Sequence, residues 1–174
     1  MPFADNAHGV IGALFKGWQL NNITTISTGP PFTVQISGYN RSGNLNTTNF
    51  SLNERPNLKP GRSNNPILSG PDRYWDVSAF ELGPENQLGN LGRNTLIGPG
   101  LAMLDVSVNK KFAIGERAAV QFRAEMFNSL NHPNFAIPSQ RTVFSSSGRV
   151  NSAGRITSTS TPSRQLQFGL KLSF

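Results

Sequence analysis

The side chains best suited to chemistry in this sequence are two histidines and a pair of carboxylates. His8 and His132 lie far apart, and they do not have the spacing of metal ligands. The chain has no cysteine, which excludes a disulfide framework and a thiolate metal site. His132 stands in Asn-His-Pro-Asn, which is typical of a loop turn rather than of a catalytic base. We therefore expect no metal and no cofactor.

Asp105 and Glu125 fall on the same face of two neighbouring predicted strands. Paired carboxylates can perform acid–base chemistry. Lys111 and Arg123 share that face, however, so charge pairing is the favoured interpretation. Because no nucleophile, base and orienting group come together in this sequence, we predict that the protein is not an enzyme.

A long polar stretch holds the candidate contacts to a ligand of unknown identity, namely Tyr74, Trp75, Arg93 and Asn94. The two aromatic residues could equally pack the loop, and the other two could equally hold its conformation. The glycine-rich segments 89–92 and 98–100 match neither a phosphate-binding loop nor a dinucleotide fingerprint. The sequence leaves these alternatives open.

The composition is typical of strands and turns rather than of helices. Only 36% of the residues are hydrophobic and 14% are charged, while Asn, Ser, Thr, Gly and Pro are abundant. The net charge is +7, but no basic run exceeds Lys110-Lys111, which favours a solvated or lumen-lining surface over a nucleic-acid interface. No segment approaches 18 apolar residues, so no transmembrane helix is expected.

The clearest periodicity lies in the last strand, which is predicted over about 163–174. The apolar residues on one face are Leu166, Phe168, Leu170, Leu172 and Phe174. The residues on the other face are Gln165, Gln167, Gly169, Lys171 and Ser173. This period of two extends over about ten residues, which is the length of a strand that spans a membrane.

Three further strands are predicted over about 10–28, 101–112 and 117–129, and the last two form a hairpin. The 117–129 segment also has apolar residues at helical spacing, but a strand is favoured because a short turn follows a clear strand. Long stretches of about 37–100 and 131–162 are expected to be irregular loops.

Strict alternation is what a barrel wall in a membrane requires. In hydrocarbon every backbone polar group must be paired, so only helices and closed barrels can span. We therefore predict an all-β fold, with antiparallel strands forming the C-terminal part of a transmembrane β-barrel and with long irregular extracellular loops. The residues expected to face the lumen are Asp105, Lys111, Arg123, Glu125, Gln165 and Gln167.

The end of the chain resembles the C-terminal assembly signal of outer-membrane proteins, in Gln167, Gly169, Leu172 and Phe174. That resemblance implies recognition by the barrel-assembly machinery. Other stretches resemble Oar-like TonB-dependent receptors, which carry a carboxypeptidase-regulatory-like domain. These include Gly-Arg-Asn-Thr-Leu and Asn-His-Pro-Asn-Phe, and they lie in 17–20, 27–34, 74–80, 89–100, 122–128 and 131–135.

The resemblance implies a bacterial outer-membrane barrel of about 22 strands with an internal plug, driven by TonB. We then expect this chain to be a fragment that supplies roughly the last four strands, with the plug and the TonB contact on a longer parent chain. The expected partners are outer-membrane lipid, the assembly machinery, TonB and an unknown ligand, but no nucleic acid.

Three alternatives stay open from the sequence. A structural or adhesive outer-membrane barrel would have the same strands without transport. A soluble β-sandwich binding module would hide the apolar faces in its own core. A basic nucleic-acid-binding protein would show affinity that falls steeply with salt.

Overall fold

The computed structural model describes residues 16–43 and 54–174, so the first part of the predicted 10–28 strand lies outside the described residues. The described part contains β-strands, turns and one 3₁₀ helix at Val77–Ala79. The strands are β1 (Trp18–Ser27), β2 (Pro31–Phe32), β3 (Gln35–Ile36), β4 (Asn57–Leu58), β5 (Phe80–Glu81), β6 (Leu96–Ile97), β7 (Leu101–Ile114), β8 (Ala118–Phe127), β9 (Thr142–Ser145), β10 (Gly148–Arg149) and β11 (Gln165–Ser173).

The chain divides into two compact units. The strand unit contains residues 16–26 with Ala102–Pro133 and Thr161–Phe174. The loop unit contains Ser27–Leu101, apart from residues 44–53, together with Asn134–Ser160.

The strand unit is one four-stranded sheet in the order β1-β7-β8-β11. The β8–β11 register runs without a break from Gln165 opposite Phe127 to Ser173 opposite Ala119. Because β8 pairs antiparallel with both β7 and β11, the helical alternative for the 117–129 segment is wrong. The prediction of an all-β fold with antiparallel strands is confirmed, although the described strands do not close a barrel.

The direction of β1 follows from two side-chain contacts with β7. The Lys110 amine lies 5.0 Å from the centre of the Trp18 ring, and Asn21 donates to the Ser107 hydroxyl at 3.3 Å. Residue 18 of β1 lies near residue 110 of β7, and residue 21 of β1 lies near residue 107 of β7, so the two strands run antiparallel.

The turn between β7 and β8 has three residues, because Ile114 pairs with Ala118. Gly115 opens this turn with a φ of 65°, a conformation that residues with a Cβ adopt only with strain. Three-residue loops with glycine in the left-handed region are common in hairpins. This tight turn contrasts with the long chain segments that join β1 to β7 and β8 to β11.

The loop unit has a hydrophobic core that sequence periodicity did not predict. Trp75 and Phe80 are fully buried, and their neighbours in the core include Phe32, Val34, Ile36, Leu91, Leu96 and Val143. Short strand pairs frame this core: β2 with β6, β4 with β5, and the sheet β10-β9-β3. The stretches 37–100 and 131–162, which were expected to be irregular loops, contain the short strands β4, β5 and β6, and β9 and β10. The parallel β3–β9 pair connects the second stretch to the segment just before the first.

Two glycine- and proline-rich motifs meet in the loop unit. Gly98 donates its backbone N–H to the Pro30 carbonyl at 2.9 Å, next to the β2–β6 pair. A Cβ on Gly29 would overlap the backbone carbonyl of Gly98. Glycine is therefore required at position 29 by the close approach of two backbones.

We expect Gly29→Ala to destabilise the loop unit by about 1–3 kcal/mol, because neither backbone can move aside freely. Hydrogen exchange at the Gly98 amide, which donates to Pro30, should become faster. Gly70→Ala is the matched control, since a Cβ there would meet its nearest atom at 3.8 Å. Equal exchange rates in the two variants would contradict this account of the motif.

Candidate functional site

The residues predicted to face the lumen share one face of the four-stranded sheet. Across the strands, Ser107 lies opposite Glu125, which lies opposite Gln167. The next rows contain Asn109, Arg123 and Gly169, then Lys111, Gln121 and Lys171. By strand alternation Asp105 and Gln165 lie on the same side. We call this surface the polar face.

The two acidic residues of the polar face already have partners. A carboxylate oxygen of Glu125 lies 3.8 Å from the Arg123 guanidinium. Asp105 instead accepts the backbone N–H of Asn128 at 2.8 Å. Glu125 thus takes part in a charge pair, and Asp105 holds the backbone just after β8, so the two carboxylates are not arranged as an acid–base pair. Within the described ranges no group of three acidic or histidine side chains could hold a metal ion.

Asn128 is a structural centre that the sequence interpretation missed. It is 3% exposed, and its amide nitrogen donates to the carbonyls of His132 and Pro162 at 3.1 and 3.2 Å. Its amide oxygen accepts the His132 N–H at 3.0 Å. The available signal was weak: asparagine tolerates the positive φ, here 47°, that ends a strand. His132 thus takes part through its backbone, as expected of a turn residue.

We expect Asn128→Ala to destabilise this turn by about 1–3 kcal/mol, since it removes the hydrogen bonds that the buried Asn128 side chain makes with the His132 backbone and the Pro162 carbonyl. Faster hydrogen exchange at the His132 amide is the measurement. Asn131→Ala provides a partial control, because Asn131 also has a positive φ but is exposed and accepts only one hydrogen bond, from the Arg164 N–H. Unchanged protection in the Asn128 variant would show that its side chain does not hold the turn.

The opposite side of the sheet, here called the apolar face, is largely uncovered. Leu166, Phe168, Leu170 and Leu172 are between 58% and 76% exposed. The Phe122 ring joins this surface, with ring centres 6.4 Å from those of Trp18 and Phe168. A soluble sandwich would cover such a face with a second sheet, and the described part of the strand unit shows no second sheet over it. An exposed apolar face of this kind is typical of a surface that contacts a membrane or another protein.

Lys110 interrupts the apolar face, as it interrupts the sequence pattern. It is only 2% exposed, and its amine lies 5.0 Å from the Trp18 ring centre and 4.8 Å from that of Phe112. Attraction between a cation and aromatic rings offsets part of the cost of burying the charge. Lys110 is therefore buried on the apolar face, and the alternation of β7 continues through this position although lysine is a charged residue.

The candidate ligand contacts of the loop unit divide into core and surface residues. Trp75 is fully buried, so its observed role is packing. Tyr74 is 6% exposed and donates its hydroxyl to the Ile97 carbonyl at 3.0 Å, and burial raises its pKa. Asn94 is held by Thr33, which accepts its backbone N–H at 2.7 Å. Arg93 is exposed, and of these four candidates it is the one for which no side-chain contact in the described part of the chain indicates a role.

A cleft in the loop unit has a volume of about 650 Å³. Three arginines line it: Arg73, Arg149 and Arg155. Sequence reasoning missed this group because its members are separated by up to about 80 positions. A grouping of that kind arises only when the two long stretches fold against each other.

No helix in the described part of the chain has both the length and the apolar character needed to cross a membrane. Among known protein families, residues 1–167 match the model of an outer membrane beta barrel domain. No curated protein and no solved structure matches the chain.

Proposed function

Because this chain belongs to the outer membrane beta barrel domain family, we propose that it acts as part of a TonB-dependent receptor in the bacterial outer membrane. In this proposal β1, β7, β8 and β11 contribute to the barrel wall. The loop unit binds a ligand on the extracellular side. The polar face lines the interior and the apolar face contacts lipid.

The observation that carries this proposal is the asymmetry of the connections. A three-residue turn joins β7 to β8, whereas the connections from β1 to β7 and from β8 to β11 supply nearly all of the loop unit. Outer-membrane barrels have short periplasmic turns and long extracellular loops. Long loops that fold around their own core provide a shaped surface for binding, as expected of a receptor.

The edge of β11 supports a role for the barrel-assembly machinery. β11 is the last strand in the sheet order, and every residue of it is exposed. Gln167, Gly169, Leu172 and Phe174, which resemble the assembly signal, lie on this strand or directly after it. An unpaired edge can template pairing with another strand. We propose that the machinery pairs with this edge during insertion.

The proposal is tested with the native protein, made from its own gene in its own outer membrane. Cross-linking to the periplasmic domain of TonB should give a joint product that is lost when the proton-motive force is discharged. Heat-dependent mobility on a denaturing gel serves as the control for assembly. A protein that assembles normally but never cross-links to TonB would contradict the receptor proposal.

The folded core of the loop unit also favours a second candidate function, a structural or adhesive barrel. A rigid surface of this kind can bind another cell or surface without transport. That function predicts normal cell adhesion in a strain without TonB, together with loss of adhesion when the loop unit is unfolded.

A further inference from the structure

The loop-unit cleft brings arginines together by backbone pairing. The Tyr74 N–H donates to the Gly154 carbonyl at 2.8 Å, and the Ile156 N–H donates to the Pro71 carbonyl at 2.7 Å. Arg73 and Arg155 lie between these two bonds on the paired segments. These hydrogen bonds pair two distant segments of the chain, and the pairing brings Arg73 and Arg155 to the same cleft.

Arg149 is held in position at the wall of the same cleft. Its guanidinium donates to the Val77 carbonyl at 2.7 Å and lies over the Phe144 ring, 4.8 Å from the ring centre. One contact orients the planar group and the other supports its face. A guanidinium held in this way loses little conformational freedom when it binds an anion.

The acidic residues of the cleft, Asp72 and Asp76, form no ion pair with Arg73, Arg149 or Arg155 among the described residues, although Arg73 acts on Asp76 at longer range. One oxygen of Asp76 accepts from the Ser78 N–H and hydroxyl, at 2.9 and 2.6 Å, and the other lies 3.4 Å from Arg62. The Ser78 hydroxyl, with smaller contributions from Arg62 and Arg73, holds the pKa of Asp76 below its usual value. Within the described ranges the Arg73 and Arg155 guanidinium groups have no hydrogen bond or ion pair.

We propose that this cleft binds a multiply charged oxyanion, whose phosphate or carboxylate groups contact Arg73, Arg149 and Arg155. Guanidinium groups match the geometry of both kinds of group. The cleft volume of about 650 Å³ suits a ligand with several anionic groups rather than a single phosphate or sulfate ion. The inference deepens the proposed receptor function by naming a ligand class, and its placement outside the cell rests on that function.

The test is calorimetric titration of the detergent-purified protein with sodium tripolyphosphate, citrate and maltotriose. We expect one site for tripolyphosphate or citrate, weakened by added salt, and no binding of neutral maltotriose. The double variant Arg73→Gln/Arg155→Gln should bind about tenfold or more weakly. The control Arg141→Gln/Arg117→Gln removes the same charge from exposed residues outside the cleft and should bind as the parent protein does.

A second arm titrates lipopolysaccharide in mixed micelles, which separates a lipid phosphate from a free ligand. Binding in either arm that is lost in the cleft variant supports the site. The proposal is overturned if neither arm shows binding, if both double variants weaken it equally, or if maltotriose binds as well as the anions. None of these measurements involves TonB, so their failure is distinguishable from failure of the receptor proposal.

Discussion

Phe168→Arg is expected to reduce strongly the folded, membrane-inserted fraction of the protein. Phe168 is 68% exposed on the apolar face, and its ring stacks with that of Phe122. In an outer-membrane barrel this surface meets hydrocarbon. Arginine on the lipid side costs about 2–4 kcal/mol at the middle of the bilayer. The measurement is urea titration of the protein folded into lipid vesicles.

Gln167→Arg is the matched control for this substitution. It adds the same charge to the neighbouring residue of β11, but on the polar face opposite Glu125. We expect insertion close to that of the parent protein, since a charge in a polar interior remains solvated or paired. If the two variants insert equally well, the assignment of the two faces is wrong.

Trp75→Ala should unfold the loop unit while leaving the four-stranded sheet in place. The side chain is fully buried, and its ring centre lies 5.4 Å from that of Phe32. Removing a buried tryptophan costs about 3–5 kcal/mol through lost burial and the cavity that remains. Hydrogen exchange should show lost protection at the Tyr74 and Ile156 amides, while amides in β8 stay protected.

Leu68→Ala provides the comparison for the tryptophan variant. Leu68 belongs to the same unit but is 53% exposed, so truncation removes little buried area. We expect its exchange pattern to match that of the parent protein. A Trp75 variant that retained the parent pattern would show that the core does not hold the loop unit together.

The sequence was sufficient to predict the four strands of the β1-β7-β8-β11 sheet, because the two faces of that sheet differ in polarity. Alternation in 163–174 predicted β11, and alternation in 101–112 predicted β7 apart from its last two residues. The one inconsistent residue, Lys110, is accommodated by aromatic rings from β1 and β7. The period of two predicted which residues share a face of the sheet, and the contacts of Lys110 with Trp18 and Phe112 explain the one exception.

The core of the loop unit could not be predicted in the same way. Its parts have no period, because short strands and turns present single side chains inward at irregular spacing. The sequence allows packing or ligand contact for Trp75, and ligand contact or holding of the loop for Asn94. The burial of Trp75 and the Thr33 partner of Asn94 are visible only in the folded chain. Asn128 was missed because its function depends on Pro162, far away along the chain.

The parallel pair of β3 and β9 joins positions about a hundred residues apart. A synthetic peptide copied from one long stretch alone would lack the core residues that the other stretch supplies to the same cluster as Trp75. With the loop unit outside the cell, as proposed, an antiserum raised against such a peptide should recognise denatured protein on a blot but bind poorly to intact cells. Immunisation with the folded protein is needed to obtain antibodies against its native surface.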